Sequence, residues 1–353
     1  MNSLRQRVIL VFLFVFAAGI SIWFLGSLSI NEARFAIDWR MFWQATHNFS
    51  IDYTGGLVFN PPWTLALLWP FTIFPLSTSW ALFSFFTLAC LGLFLKRQNE
   101  IRKWSATFLL FSVSYPVLRE LADGNLEIFL IAGLLLFLWA EKNQSSWGLA
   151  GSIVLLSTKF QESWLLLIAI GIFILRQWPK PKLLKTALLL AAYLIPLLIW
   201  KWQPWLVSVA QFPVEFAFNS SLAATLARIE IPVPLTILLW LTIFIGTLWR
   251  IGWKKIERLE GGLLVTASML LAPYSGNSVL VPFVIATDQA LQKRNAYTAL
   301  LIVLYNVPYI FLSQIAFRVN WEYTYWCGVL FLTWILLIWM TKRNRLPATA
   351  TLA

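Results

Sequence analysis

The chain has 353 residues, 59% of them hydrophobic and only 12% charged, where an ordinary soluble domain has about 25% charged residues. That balance excludes a soluble enzyme, a secreted disulfide scaffold and a disordered regulator, and leaves an all-α polytopic membrane helix bundle. The net charge of +12 does not by itself call for nucleic acid, because Lys and Arg gather in the cytoplasmic loops of such proteins as a topology signal.

Arg5 and Arg7 precede an apolar run over 8–30, too long for a signal-peptide core and without a small-residue cleavage site, so it is expected to be an uncleaved first helix. Further apolar segments follow at 61–95, 105–121, 126–140, 147–158, 163–175, 183–202, 233–249, 261–272, 279–291, 296–317 and 323–340. A spanning helix needs about 20 residues, and counting 61–95 once, with Pro61 opening a half-inserted or kinked helix capped by Asn60, gives about 12 transmembrane segments. With the N-terminus inside, 20 of the 27 Lys and Arg then fall in inner loops with five acids, and seven in outer loops with ten acids. Splitting 61–95 into two crossings and merging 147–175 is the rival count, and it exposes Lys96, Arg97, Arg102 and Lys103 outside. The preferred count predicts one transmembrane domain over 1–345, outer loops at 31–60 and 203–231, and a disordered tail at 346–353. Both termini are then cytoplasmic.

The inner loops are short and basic, so any chemistry belongs outside. Phe35, Trp39, Phe42 and Trp43 share one helical face, which predicts a short helix over 33–47 lying in the membrane interface, with Asp38 at its edge. A solvated acid is one reading of Asp38; a carboxylate held where water meets lipid is the other. His47, the single histidine, falls on the opposite side of that helix and is expected to be solvated. Lys159 ends one apolar segment and Glu162 begins the next, placing both at a membrane boundary. Lys159 either pairs with Glu162 or Glu127, or serves as a point charge for a phosphate; Arg228 is weighed the same way, with forked donors. Cys90 and Cys327 are read as packing residues.

Several short motifs occur in a fixed order: Asp38 followed by aromatics; Tyr53 and then Pro61-Pro62 leading into a helix; Pro70 with Pro75; the Gly124-Asn125-Leu126 turn; a Gly-rich helix from Gly148 to Lys159; Asn219 to Arg228; and Pro273-Tyr274-Ser275. Taken together they resemble glycosyltransferase family 87, of the GT-C superfamily of polyprenyl-phosphate-sugar-dependent membrane enzymes, which includes mannosyltransferases. The resemblance covers roughly residues 30–290. It implies a GT-C fold with an outer-face cavity, a polyprenyl-phosphate sugar as donor, possible mannose transfer to a lipid or glycan acceptor, and Asp38 as catalytic base. Lys159 and Arg228 are then candidates for the donor phosphate, and Asn125, Glu127, Asn219, Ser221, Ser275 and Asn277 for substrate binding. The chain departs from many members in carrying Gly276-Asn277-Ser278-Val279 after the Pro-x-Ser, and Asp123-Gly124-Asn125-Leu126-Glu127 in place of a Gly-Gln-x-Asn. No Asp-x-Asp pair is present, so neither a metal nor another cofactor is expected, and membrane lipids rather than nucleic acid are the expected surroundings. The competing class is a transporter or flippase of lipid-linked or amphipathic solutes, but such proteins place ionisable residues at mid-membrane, and the proposed spans carry theirs near helix ends.

Overall fold

The computed structural model describes residues 36–54, 58–96, 101–211, 219–251, 255–276, 278–292, 297–311 and 321–343. The expected first helix at 8–30, Phe35, Asn277 and the tail at 346–353 lie outside the described residues. Among the described residues the chain is helical, with no strands, as its composition requires: a backbone surrounded by lipid must satisfy its hydrogen bonds within each segment.

In chain order the helices are α1 (Ile37–Thr46), α2 (Pro62–Thr72), α3 (Leu76–Leu95), α4 (Ile101–Ser112), α5 (Tyr115–Asp123), α6 (Ile128–Asn143), α7 (Ser146–Leu156), α8 (Phe160–Gln177), α9 (Lys180–Gln211), α10 (Leu222–Arg228), α11 (Val233–Arg250), α12 (Arg258–Leu271), α13 (Leu280–Gln292), α14 (Tyr297–Asn306) and α15 (Glu322–Arg343). Five stretches are long and apolar enough to cross a membrane: α3, residues 146–177, α9, α11 and 322–341. A sixth results if α5 and α6, which meet at 109°, are counted as one broken span. Residues 146–177 are not one rod. A straight helix of that length would be about 48 Å long, yet Ser146 Oγ, at its start, donates to the carbonyl of Lys182, just past its end, at 3.0 Å. The chain folds back at the 3₁₀ turn Ser157–Lys159, where Lys159 leaves helical geometry (φ −124°, ψ 67°).

Burial sorts the helices into a centre and a rim. In α12 every residue from Leu259 to Leu271 except Glu260 is buried, as are the first nine residues of α13. By contrast α9 buries only Thr186 and Ser208, and α11 only Ile243 and Thr247. Helices apolar all round that remain uncovered by protein have lipid as their partner.

Long-range bonds define two ends. At one, Arg258 Nη1 donates to the Phe94 carbonyl at 2.7 Å, Arg250 Nε to that of Ile338 at 3.3 Å, and Lys255 feels the charge of Glu141. At the other, Ala36 N–H donates to Ala122 O at 2.6 Å, Asn60 Nδ2 to Thr158 O at 3.2 Å, Asn219 Nδ2 to Pro273 O at 2.7 Å, and Arg228 Nη1 to Thr324 Oγ1 at 2.7 Å. The polar turns expected to share one face do so, and the basic turns gather opposite. Helix α2 stays at the polar end, since Trp63 Nε1 meets Ser157 Oγ and Trp69 Nε1 meets the Ser50 carbonyl. Within 61–95 only α3 runs away from that end, and it is the helix there that is long and apolar enough to cross.

Four expectations need correction. Helix α1 does not lie with its rings in the headgroup region: Trp39 and Phe42 are buried, Trp39 stacking on Phe83 at 4.1 Å and donating to Ser79 Oγ at 3.0 Å. Asn60 does not cap α2; Pro61 holds that position, and the Asn60 amide is drawn to Thr158 instead. The segment 105–121 is not one helix, because the chain breaks between Ser112 and Tyr115, where Pro116 occupies the first turn of α5. Of the expected loop at 203–231, residues 203–211 continue α9.

Candidate active site

The corner between α5 and α6 turns on one glycine. Gly124 ends α5 in the left-handed region (φ 71°), and a Cβ there would sit 2.4 Å from the Cβ of Trp39. Only glycine meets both demands, and the resulting contact seats the start of α1 on the α5–α6 turn. The side chain of Asn125 then reaches α1, Nδ2 donating to Asp38 Oδ2 at 2.9 Å, while its own Oδ1 accepts from the Leu126 N–H at 2.7 Å. Asp38 is thus half-buried and held from one side. Burial raises its carboxyl above the usual carboxylate range and the charge of Asp123 adds to this, while Lys159, the Asn125 bond and Arg119 oppose the shift.

Beneath Asp38 lies a buried charge cluster. Lys159 Nζ is 2.8 Å from Glu162 Oε1, and the carboxylates of Glu127 and Glu120 also act on the same ammonium. Helix N-termini offset two of the three acids: Glu120 Oε1 accepts from Ile128 N–H at the head of α6 at 3.1 Å, and Glu127 Oε2 from Leu280 N–H at the head of α13 at 2.7 Å. Glu127 Oε1 and Glu162 Oε2 have no hydrogen-bond partner among the described residues. Of the two readings of Lys159, the pairing with Glu162 is what the geometry shows.

The other candidate residues fall in two groups. Asn219 is fully buried and ties two turns together, its Oδ1 accepting from Ser221 N–H at 2.9 Å and from Ser275 N–H at 3.0 Å. Ser221 Oγ caps α10 by accepting from Ala224 N–H at 3.4 Å. Both side chains thus build the fold around the site. Ser275 Oγ is buried without a hydrogen-bond partner among the described residues. Arg228 is half-buried, with Nη2 donating to the Asn219 carbonyl at 2.9 Å and Nη1 to Thr324. Arg228 is within charge range of Cys327 and Tyr323, and Lys159 of Glu162, Glu127 and Glu120, both at the same end of the molecule.

Three residues were overlooked by sequence reasoning. Arg119 pairs with Asp123 one helical turn on, and Glu120 faces the buried cluster; both were hidden inside a segment read as an apolar span. Tyr274 lies within charge range of Lys159, Glu162 and Asp38 and packs edge-on against Phe59, with ring centroids 6.3 Å apart. The i,i+4 spacing of Arg119 and Asp123 ahead of a glycine was the available signal. His47, expected in solvent, is instead partly buried, stacked on Trp43 with Nδ1 donating to the Thr72 carbonyl at 2.7 Å.

Comparison with curated proteins and with solved structures found no match. The family model of glycosyltransferase family 87 matches residues 59–281, a stretch that holds the α5–α6 turn, the Lys159 cluster, and the Asn219 and Ser275 turns, and that begins after Asp38. It spans well over half of the chain, whose described residues are helical with several apolar spans, and the protein belongs to glycosyltransferase family 87 as a membrane-embedded enzyme of sugar transfer.

Proposed function

We propose that the enzyme transfers a hexose, with mannose the first candidate, from a polyprenyl-phosphate sugar to a lipid or glycan acceptor at the outer face of a cell membrane, with Asp38 as general base. In this reading Asp38 takes the proton of the acceptor hydroxyl as that oxygen bonds to the anomeric carbon, and the bond from the anomeric carbon to the phosphate oxygen breaks, leaving polyprenyl phosphate. The observation that carries the reading is the seat of Asp38: a half-buried carboxylate with a raised proton affinity, fixed by the Asn125 amide at the polar end of an apolar helix bundle.

Arg228 is the candidate for the donor phosphate. Lys159, engaged by carboxylates, acts on the site indirectly, through its charge on Asp38. Asn125 positions the base, Glu127 and Asn219 hold the surrounding turns, and Ser275 offers a hydroxyl to substrate. The shorter helices complete a set of about twelve crossings in one domain over 1–345, with both termini cytoplasmic. No resident cofactor is invoked, the lipid-phosphate sugar being the substrate. The test is to incubate membranes containing the protein with a panel of radiolabelled polyprenyl-phosphate sugars. Transfer from at least one donor that disappears in Asp38→Asn supports the reading; equal transfer by the variant overturns the base assignment.

A further inference from the structure

An open cavity of about 380 Å³ runs along α15 beside Leu304 of α14, and its place in the fold links it to Arg228. It is lined by Leu304, Trp321, Tyr325, Gly328, Val329 and Leu332, with Thr324 at its polar edge. This face of α15 is the membrane face: Trp321 is 60% exposed and Leu332 45% exposed, and 322–341 is one of the apolar spans. Gly328 leaves space where any other residue would put atoms, for a Cβ built there has nothing within 4 Å. An aromatic residue at the end of a span marks the headgroup level, so the cavity begins just below that level and opens sideways into the bilayer.

The charge at its mouth decides what would fill it. Thr324 accepts from Arg228 Nη1 at 2.7 Å, which puts a permanent cation where an apolar chain lying in the cavity would end. The next face of the same helical turn belongs to the candidate site: Tyr323 is within charge range of Arg119, Asp123 and Tyr274, and Glu322 is buried within range of Arg119. A ligand that lays a hydrocarbon chain along Gly328 and an anion against Arg228 therefore has its head beside the residues that surround Asp38. We infer that the cavity along α15 is the seat of the first isoprene units of the polyprenyl-phosphate donor, with the phosphate at Arg228. The inference rests on the donor class proposed above, and adds where the chain lies and what selects it. Each buried methylene contributes about 0.8 kcal/mol, so a few isoprene units in the cavity account for a preference for long-chain over short-chain donors.

The experiment uses the full-length protein in detergent and a graded series, Gly328→Ala, Gly328→Leu and Gly328→Phe, which fills the cavity from a position with open space. Binding of long-chain polyprenyl phosphate, the product without its sugar, is compared with that of a short isoprenyl phosphate by native mass spectrometry. The ratio of the two affinities should fall stepwise with side-chain volume, by about tenfold or more at Phe, while Arg228→Gln weakens both ligands and leaves their ratio. Should Gly328→Phe not fold, the Ala and Leu variants still read out the trend. A ratio that does not change across the series overturns the inference, as does a wild type that binds both phosphates equally. Because binding is what is measured, the result for the cavity stands whether or not sugar transfer is observed, and an inactive Asp38→Asn leaves it equally untouched.

Discussion

At the scale of single residues, the site depends on how burial and charge are balanced around Asp38. In the role proposed for it Asp38 must be ionised, and its carboxyl is held above the usual carboxylate range. Activity should therefore fall on the acid side at a higher pH than an ordinary aspartate would give, and recover as pH rises through that raised value. Removing the charge of Arg119, which opposes the shift, moves the acid limb further toward neutral; a profile of transfer rate against pH for Arg119→Gln checks the sign. The Asp38→Asn variant keeps an oxygen for the Asn125 amide, so its fold should hold while turnover drops by roughly 100-fold or more, the usual scale of general-base catalysis. Lys159 makes a different prediction. Breaking a buried pair by removing one partner costs about 3–5 kcal/mol, so Lys159→Met should lower the melting temperature markedly. Glu162→Gln retains an acceptor for the ammonium and should lower it less. Equal melting of both variants and wild type would remove the pair from the stability of the fold. The residue types of the site were legible in the sequence, Asp38 and Lys159 among them. The partners were not, because Glu120 lies 39 residues from Lys159 in the chain and meets it through the return of α7 along α6.

At the scale of elements, the α5–α6 corner is the feature on which the site geometry rests. The left-handed turn at Gly124 ends α5, and the close approach of Trp39 leaves no room for a methyl group. In Gly124→Ala, left-handed backbone costs about 1–2 kcal/mol and the clash forces α1 off the turn, separating Asn125 from Asp38. Sugar transfer should fall as far as in Asp38→Asn, but with a lower melting temperature, which the substitution at Asp38 should not produce. A Gly124→Ala protein with normal melting and normal transfer would show that α1 is seated by something other than this contact. The sequence showed this corner as Gly-Asn after an acid, yet reading 105–121 as one apolar span concealed it. Hydropathy averages over a window, and α5 places Arg119, Glu120 and Asp123 among apolar neighbours. The face of α1 was misjudged for a related reason: an aromatic stripe at helical spacing fits a membrane interface and a protein core equally, and only the presence of Ser79 and Phe83 opposite Trp39 decides between them.

For the whole molecule, the two ends carry the functional argument, since a sugar donor and its acceptor must reach the same one. The alternation of short turns was legible because charge marks it: Lys96, Lys142, Lys180, Lys182, Arg250, Lys255 and Arg258 lie together, and the Asp38, Asn125, Lys159, Asn219 and Ser275 turns lie at the opposite end. Because basic loops stay cytoplasmic, the orientation proposed above puts the candidate site on the outer side. Cysteine accessibility tests this with little background, because Cys90 and Cys327 are both buried. Asp52 and Lys96 are exposed at opposite ends of the bundle, Asp52 being joined to α1 by its N–H bond to the Ala45 carbonyl at 2.8 Å. A membrane-impermeant thiol reagent applied to intact cells should label Asp52→Cys and not Lys96→Cys, with Lys255→Cys following Lys96→Cys. After permeabilisation all three should label. The reverse pattern would turn the site toward the cytoplasm and with it the side on which donor and acceptor meet. Labelling of Asp52→Cys and Lys96→Cys from the same side would contradict the single passage of α3 from the polar end to the basic one, and the grouping of turns that assembles the site would fall with it.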